Sequence, residues 1–359
     1  MQHAATIHQR FARHVRAALA GTVLAGGLLA TAAGTGAPAG AAARRPPLVL
    51  YASQGYGAAV AKAFEDATGI TVTLDTNATG TLLDQVEASR RHARWGVLWV
   101  DGPTAFARLD QQHLLLRGFE PHVHWNAQGA SAVPKDRSYV PTGVTLTEAE
   151  IYTSTVVTDP PGTWQDLLRP EWRGAVGMDN PAQSGPTFPF IAGMMQHLGG
   201  HDGVKAGERY FTKLHHNGLV VRTTNPTTLQ ELTSGKIKVA LVQSSAAAGA
   251  VRTDPHLAVK YLPPVTLVPS AVGIDAKVSK AERAEAERFA AFVLSPQGQQ
   301  VMQSATPDGG SLYYPVVAGV PAPATLPALA SVETQRITPY VWGRREHAIT
   351  AWFSAHVAQ

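Results

Sequence analysis

The feature that most constrains this chain is the regular alternation of short apolar runs with segments of helical periodicity. In the first part of the chain, the apolar runs that predict strands are 47–52, 70–75 and 96–101. The segments with a helical pattern that follow them are 57–68, 81–92 and 103–110. Strands that alternate with helices pair mainly in parallel and are covered by those helices, so the pattern predicts an α/β fold.

The alternation resumes after a loop region rich in proline, histidine and tryptophan, which indicates a second α/β unit. Its predicted strands are 175–178, 219–223 and 238–243. Its predicted helices are 163–172, 202–216, 226–234 and two segments that start near residues 187 and 244. Near the end of the chain, 280–304 has the pattern of two amphipathic helices broken at Ser295–Pro296. A chain of this length also exceeds what one hydrophobic core usually holds.

Two long extended segments, 140–147 and 267–274, suit crossings from the first unit to the second and back. We therefore predict an α/β fold of two lobes, with mainly parallel sheets joined by hinge strands. Lobe 1 would comprise 44–143 and 271–325, and lobe 2 would comprise 144–270. A helical segment at 326–359 would pack on the lobes.

The first 43 residues have the composition of a secretory signal peptide. They carry Arg10, Arg13 and Arg16 and no acidic residue, then an apolar stretch rich in alanine and glycine. An A-x-A-like cleavage site follows between Ala39 and Arg44. A membrane anchor is the alternative, but the stretch is weakly apolar for a span of about 20 residues. We predict an exported, periplasmic protein from which residues 1–43 are cleaved.

The net charge and the absence of cysteine exclude or disfavour several classes of function. Loss of the three N-terminal arginines would lower the formal net charge from +4 to +1, so the basic character that favours nucleic-acid binding largely disappears. The chain has no cysteine, which excludes disulfides, thiolate metal sites and a lipid-modified export cysteine. We expect a monomer that binds neither nucleic acid nor a cofactor.

Several predicted strands end in a small polar cluster that opens the next helix. These clusters are 53–57, 76–80, 101–104, 183–187, 224–228 and 243–245. In open α/β sheets, ligands bind beyond the carboxyl ends of the strands, where helix N-termini present unpaired N–H groups to anions. Each cluster taken alone is more typical of ordinary helix capping than of ligand binding. Six of them together favour a binding edge.

The first cluster also resembles the start of a dinucleotide-binding turn. Gly55-x-Gly57 matches the first two glycines of that motif, and Asp75 lies where a ribose-binding acid is expected. The third position is Val60, whose side chain prevents the close packing of helix on strand that glycine permits. We therefore expect Gln54, Gly55 and the Tyr56 ring to contact a smaller solute.

Catalytic signatures are missing from the sequence. It contains no G-x-S-x-G, H-E-x-x-H or phosphate-loop lysine motif. The histidine pairs lack a nearby patterned acid, which disfavours metal binding. An exported hydrolase that uses Asp101 or a histidine cluster remains an alternative, but the sequence shows no pair of nucleophile and base for it.

The order of several segments carries a family likeness. The segments are LVLYASQ at 48–54, AFEDATGITV at 63–72, GVLWVD at 96–101, TWQDLLRPEWRGAVGMDNPAQSG at 163–185, LTSGKIKVALVQ at 232–243 and AERFAAFVLSPQGQQVM at 286–302. This order resembles the type 2 periplasmic solute-binding proteins of ABC importers, in the branch that binds ferric ion, phosphonates and sugar phosphates. The likeness implies two lobes that close on one solute and deliver it to an inner-membrane ABC permease.

The resemblance also implies which ligands are disfavoured. Ferric-ion-binding members use a histidine where this chain has Gly55, and an acid at the position of Asp101. Their tandem tyrosines correspond to Ser244, Ser245 and Ala246. Hard ferric ion prefers anionic oxygen donors, so one carboxylate without phenolates is a poor metal site. We expect no metal, although a ferric receptor with altered ligands remains an alternative.

The positions that hold phosphate in the iron-binding relatives retain polar residues here. They correspond to Ser184, Gly185, Thr187, Asn225 and Gln243. We therefore predict a receptor for a small anionic organic solute, such as 2-aminoethylphosphonate or a phosphate ester. Ser244 and Ser245 would add hydroxyl donors. Asp101 either pairs with an amine or hydroxyl group of the solute or is an ordinary helix-opening residue before Gly102–Pro103.

Arg222 and Arg252 lie close to the proposed site along the chain. Each either adds positive charge to the site or lies on the protein surface.

A sensory receptor that signals to a membrane kinase is a further alternative, because it would have the same residues as a transport receptor.

Overall fold

A computed structural model describes residues 46–92 and 94–359. The predicted signal peptide lies outside these residues. Within the described residues, no helix is both long and apolar enough to span a bilayer. The strands of the described chain are β1 (Leu48–Ala52), β2 (Val72–Thr76), β3 (Val97–Asp101), β4 (Val140–Leu146), β5 (Ala149–Thr153), β6 (Val176–Asp179), β7 (Val220–Arg222), β8 (Val239–Val242), β9 (Leu257–Tyr261), β10 (Val265–Ile274) and β11 (Thr334–Gln335).

The helices cover both sheets and fill the connections between strands. They are α1 (Gly57–Thr68), α2 (Thr79–Ala88), α3 (Pro103–Gln111), α4 (Ala127–Ala132), α5 (Thr187–Gly199), α6 (Val204–His216), α7 (Asn225–Thr233), α8 (Ser244–Thr253), α9 (Lys280–Val293), α10 (Pro296–Ala305) and α11 (Pro339–His356).

The strands form two sheets. The first has the order β11-β10-β3-β1-β2 with β4 paired to β10, and the second has the order β7-β6-β8-β5-β9. In the first sheet β1 pairs in parallel with β2 and β3, whereas β10 is antiparallel to β3 and β4. In the second, β6 is parallel to β7 and β8, whereas β5 is antiparallel to β8 and β9. We call the part built on the first sheet lobe A and the part built on the second sheet lobe B.

The chain passes between the lobes at two neighbouring places. It leaves the first sheet at the end of β4 and enters the second at β5, and it returns from β9 to β10. Every residue of β4 and β10 is buried, as expected for paired strands covered on both faces. The residue bounds of the two lobes stay a prediction.

Each lobe has its own aromatic core. In lobe A, Trp99 lies 5.8 Å from Phe289 in an edge-on contact, and its indole N–H donates to Thr142 Oγ1 at 3.0 Å. In lobe B, Phe211 packs edge-on against Phe353 of α11 at 5.3 Å. Helix α11 also packs on α3 of lobe A, so the last helix contacts both lobes.

Some local predictions were wrong. Segment 163–172 forms two short 3₁₀ turns, Asp166–Leu168 and Pro170–Trp172, rather than one helix. Pro170 disfavours helical backbone at the residue before it, and Arg169 is accordingly extended there. Helix α4 and strand β9 were not predicted. Helix α4 (AQGASA) consists of small and polar residues without helical periodicity, and β9 (LAVKY) is a mostly apolar run of only five residues.

Glu150 of β5 leads to a pH-dependent prediction. Its side chain is fully buried, and neither carboxylate oxygen has a hydrogen-bond partner within the described chain. Burial raises its pKa from 4.5 to about 8, and Lys260 opposes that rise. Below about pH 4.5 Glu150 is protonated in both the folded and the unfolded chain, and its burial carries no charge penalty. As the pH rises from 4.5 toward 8, only the unfolded chain releases the proton, so the free energy of unfolding falls.

We expect Glu150→Gln to raise the melting temperature at pH 9 and to change it little at pH 5, because a neutral amide has no charge to desolvate. The gain in free energy of unfolding at pH 9 is at most about 5 kcal/mol. Thermal unfolding followed by circular dichroism between pH 5 and 9 checks this. Burial also raises the pKa of Glu148 to about 8. Part of the decrease in melting temperature with rising pH therefore remains in both the variant and the parent protein. Parallel curves for variant and parent would contradict the prediction.

Candidate functional site

The main cavity has a volume of about 620 Å³ and lies between the two lobes. Lobe A contributes the ends of β1 and β3 and the start of α1, and lobe B contributes α7 and α8. The predicted site residues that line it are Gln54, Gly55, Tyr56, Asp101, Asn225, Gln243 and Ser245. Ligand sites of small molecules usually have volumes of about 300 to 1,000 Å³, so the cavity suits one small solute.

Asp101 at the end of β3 is the polar centre of this cavity. Its Oδ1 accepts hydrogen bonds from Gln54 Nε2 at 3.0 Å and from the Ser270 hydroxyl. Its Oδ2 accepts one from Gln243 Nε2 at 3.1 Å. Gln243 follows β8 in lobe B, so this last bond joins the two lobes directly. The same amide also donates to Thr145 Oγ1 at 2.7 Å, which holds it in place.

Helix α8 begins at the cavity and has no side-chain cap. The Ser244 hydroxyl is already used, because it accepts a hydrogen bond from the Leu146 N–H at 3.0 Å. Ser244 does not line the cavity, whereas Ser245 and Ala246 do. Within the described chain the Ser245 hydroxyl has no hydrogen-bond partner, so the first turn of α8 offers a free hydroxyl beside its N-terminal N–H groups.

Helix α1 begins on the opposite side of the cavity, also without a side-chain cap. Gly55 lines the cavity just before it, and a methyl group added there would come no closer than 3.7 Å to any neighbour. The Tyr56 ring is buried between Trp99 and Tyr313, with centroid distances of 5.2 and 6.0 Å. Burial, with a further contribution from Asp101, raises the pKa of Tyr56 well above its ordinary value, so its phenol stays neutral.

Helix α7 differs from the other five helices that open from a polar cluster. Thr224 and Thr227 form a reciprocal capping box at its start, whereas α1, α2, α3, α5 and α8 have no side-chain cap. Asn225 still lines the cavity, and its Oδ1 accepts from the Gln243 N–H at 3.4 Å. Side-chain capping therefore accounts for one of the six clusters.

Of the five helices without a side-chain cap, α8 brings Ser245 and Ala246 of its first turn to the cavity. Helix α1 brings only the residues that precede it, up to Tyr56, and its first N–H, that of Gly57, donates to the Gln54 carbonyl at 2.9 Å.

Three other predicted site residues lie apart from the main cavity. The Ser184 hydroxyl donates to buried Asp179 at 3.0 Å, and burial raises the pKa of that carboxyl to about 6. Gly185 and Thr187 do not line the main cavity, and Gly185 packs against Thr79 of lobe A. A binding role for these residues stays a prediction.

Among the residues that the structure describes, the charged side chains that line the main cavity are two acids, Asp101 and Asp308. Arg252 forms an ion pair with Asp308 at 3.2 Å, and Arg222 pairs with Glu231 at 3.0 Å. Neither arginine lines the cavity. Any anionic group bound there must be held by backbone N–H groups and neutral donors.

Sequence reasoning missed several residues of the lining. Tyr313, Gly309 and Gly310 come from the loop after α10, and Thr145 and Ser270 come from the long strands β4 and β10. Tyr313, whose ring packs against that of Tyr56, also lines the cavity. None of these residues belongs to a strand-to-helix cluster, so no local pattern indicated them.

The chain is similar in sequence to a known protein family and to individual relatives. The sequence profile of the family described as bacterial extracellular solute-binding protein matches residues 59–334. The phosphoglycerate transport regulatory protein PgtC of Salmonella typhimurium is 27% identical over 157 residues, which cover 44% of this chain and 37% of PgtC. A putative 2-aminoethylphosphonate-binding periplasmic protein of Salmonella paratyphi A is also 27% identical over 157 residues, 43% of its length. The match thus spans less than half of either relative.

Solved structures share the fold over most of the chain. Iron-bound HitA from Pseudomonas aeruginosa has a TM-score of 0.70 at 22% identity, covering 85% of this chain and 99% of HitA. The periplasmic binding protein AfuA from Actinobacillus pleuropneumoniae, with fructose-6-phosphate bound, has a TM-score of 0.76 at 17% identity. That match covers 87% of this chain and 98% of AfuA. These similarities confirm the predicted two-lobed α/β fold.

The profile covers well over half of the chain, and the two sheets, the crossing strands and the interlobe cavity agree with it. The chain belongs to the family of bacterial extracellular solute-binding proteins, whose members are solute-binding receptors rather than enzymes.

Proposed function

We propose that this protein is the periplasmic receptor of an ABC importer and that it captures a small organic solute with an anionic group at one end. The other end of the solute carries an amine or a hydroxyl group. The observation that carries this proposal is the pairing, in one cavity, of the uncapped start of α8 with the Asp101 carboxylate.

The anionic end is assigned to the start of α8. Uncapped helix N-termini present several N–H groups and a partial positive charge, which together bind phosphate or carboxylate without a basic side chain. The Ser245 hydroxyl adds a donor at the start of α8. Since no lysine, arginine or histidine of the described chain lines the cavity, this is the arrangement that can hold an anion there.

The opposite end of the solute is assigned to Asp101. A carboxylate has room for about four hydrogen bonds, and three donors of the protein reach Asp101. An ammonium or hydroxyl group of the solute would take the remaining position and offset the negative charge of the cavity. A charge-assisted bond of this kind is roughly twice as strong as a neutral one.

The names of the curated relatives agree with this chemistry. One is a phosphoglycerate transport regulatory protein and the other a putative 2-aminoethylphosphonate-binding protein, and both names refer to small compounds with a phosphoryl or phosphonyl group. The word "regulatory" in the first name also favours a second candidate function, a sensory receptor that reports the same solute. The two roles share one binding site.

A thermal-shift experiment tests the ligand class. We expect 2-aminoethylphosphonate or 3-phosphoglycerate to raise the melting temperature, because a ligand that binds only the folded state stabilises it. Ethanolamine, which has the amine without the anion, should cause no shift. Ala246→Trp, which fills the cavity beside α8, should abolish any shift. The proposal fails if no phosphoryl or phosphonyl compound stabilises the protein, or if ethanolamine alone is sufficient.

A further inference from the structure

A second cavity, of about 340 Å³, lies in lobe A beside the crossing strand β10. Its walls come from the loop after α4, from β10 and from the segment that leads into α11. Leu267 and Pro269 of β10 line this second cavity, whereas Ser270 lines the main one. Successive residues of a strand point to opposite faces, so the two cavities lie on opposite sides of β10.

The wall of the second cavity is largely apolar. Val133, Pro134, Leu267, Ile337 and Pro339 contribute aliphatic surface, and the rings of two tyrosines complete it. A concave apolar wall with few polar groups is typical of sites that bind a small molecule. The volume suits a compact aromatic or branched aliphatic group.

Two cationic residues, Lys135 and Arg336, line the second cavity. Within the described residues neither cation forms an ion pair, and Arg336 Nη2 donates to the neutral Gln128 side chain.

Asp136 also lines the cavity, but its Oδ2 accepts from the Tyr340 hydroxyl at 2.8 Å and lies 3.7 Å from Arg117 Nε. Arg117 also donates two hydrogen bonds to Asp110, at 2.7 and 2.8 Å, so two carboxylates share one arginine. The lining itself has the two cations and one acid, Asp136, which leaves it with a net positive charge.

We propose that the second cavity binds a small amphipathic carboxylate, with its apolar group against the wall and its carboxylate on Arg336 and Lys135. The planar guanidinium of Arg336 matches a carboxylate with two parallel hydrogen bonds, and Lys135 adds a point charge. This site is separate from the main cavity, and its apolar wall distinguishes it by selecting a carboxylate that carries a hydrophobic group.

Phenylacetate is the probe for this proposal, titrated into the full-length mature protein by isothermal titration calorimetry. We expect saturable binding of phenylacetate and no binding of benzyl alcohol or phenethylamine, which keep the ring and lack the anion. The double variant Lys135→Gln/Arg336→Gln should bind at least about tenfold more weakly, because it loses charge-assisted hydrogen bonds. Ala132→Trp, which narrows the cavity and keeps both cations, should also lose binding.

Two variants serve as controls. Arg137→Gln removes a neighbouring cation that pairs with Glu120 outside the second cavity, and Ala246→Trp fills the main cavity. Both should bind phenylacetate like the parent. The proposal is overturned if phenylacetate does not bind, if benzyl alcohol binds equally well, or if Ala246→Trp rather than Ala132→Trp removes binding. Unchanged melting temperatures of the apo variants show that they are folded.

Discussion

Gly80→Ala is expected to hold the lobes apart and to weaken solute binding at least about tenfold. Gly80 lies in the first turn of α2 in lobe A, where its N–H donates to the Gln183 carbonyl of lobe B at 3.1 Å. A methyl group added to Gly80 would lie 1.9 Å from the Ala182 carbonyl oxygen. This carbonyl belongs to the backbone, which cannot rotate away as a flexible side chain can. The lobes must therefore separate to relieve the clash.

Small-angle X-ray scattering measures the separation as a larger radius of gyration, and calorimetry with 2-aminoethylphosphonate measures the loss of affinity. Gly199→Ala is the matched control, because a methyl group there meets no atom within 4 Å. Alanine favours helix over glycine, so Gly80→Ala should keep its melting temperature while it changes shape. A parental scattering curve together with parental affinity would show that this contact does not govern closure.

Asp101→Ala is expected to lower the affinity for an amine-bearing solute by about 100-fold, because a charge-assisted bond in the cavity is lost. The variant also leaves the Gln54 amide, the Gln243 amide and the Ser270 hydroxyl without their shared acceptor. Each unsatisfied donor costs about 1 to 3 kcal/mol where water cannot replace the partner. We therefore expect a lower melting temperature as well as weaker binding.

The measurement is calorimetric titration with 2-aminoethylphosphonate, paired with ethylphosphonate, which lacks the amine. Asp101→Ala should bring the two affinities close together, since only the amine depends on the carboxylate. Asp308→Asn removes the other acid of the cavity, which is paired with Arg252, and should preserve the preference for the amine. If Asp101→Ala still prefers the amine compound, the assignment of Asp101 is wrong.

Much of the local structure was predictable because it depends on local patterns. The predicted helix 57–68 coincides with α1, in which Val60 and Phe64 face the core and Gly69 ends the helix with left-handed backbone. The break at Ser295–Pro296 was also correct, since Ser295 caps α10 and Pro296 begins it. Both features are local, because glycine permits the left-handed backbone that ends a helix and Ser295 and Pro296 act on the first turn that they begin.

The candidate site was only partly predictable. The polar clusters at strand ends indicated Gln54, Gly55, Asp101 and Ser245, because each lies at a strand-to-helix junction. Ser184 belongs to the same kind of junction, yet its hydroxyl bonds to Asp179 inside lobe B. A cluster cannot reveal whether its donors are already used by a residue elsewhere in the fold.

The sequence by itself determined the α/β alternation, the two crossing segments and the row of polar helix starts. All of these follow from periodicity and capping over fewer than about 20 residues. Only the tertiary structure decided which helix starts open into the cavity, that Gln243 of lobe B reaches Asp101 of lobe A, and that a second, positively charged cavity lies behind β10. Those facts depend on contacts between residues more than a hundred positions apart, which no local pattern records.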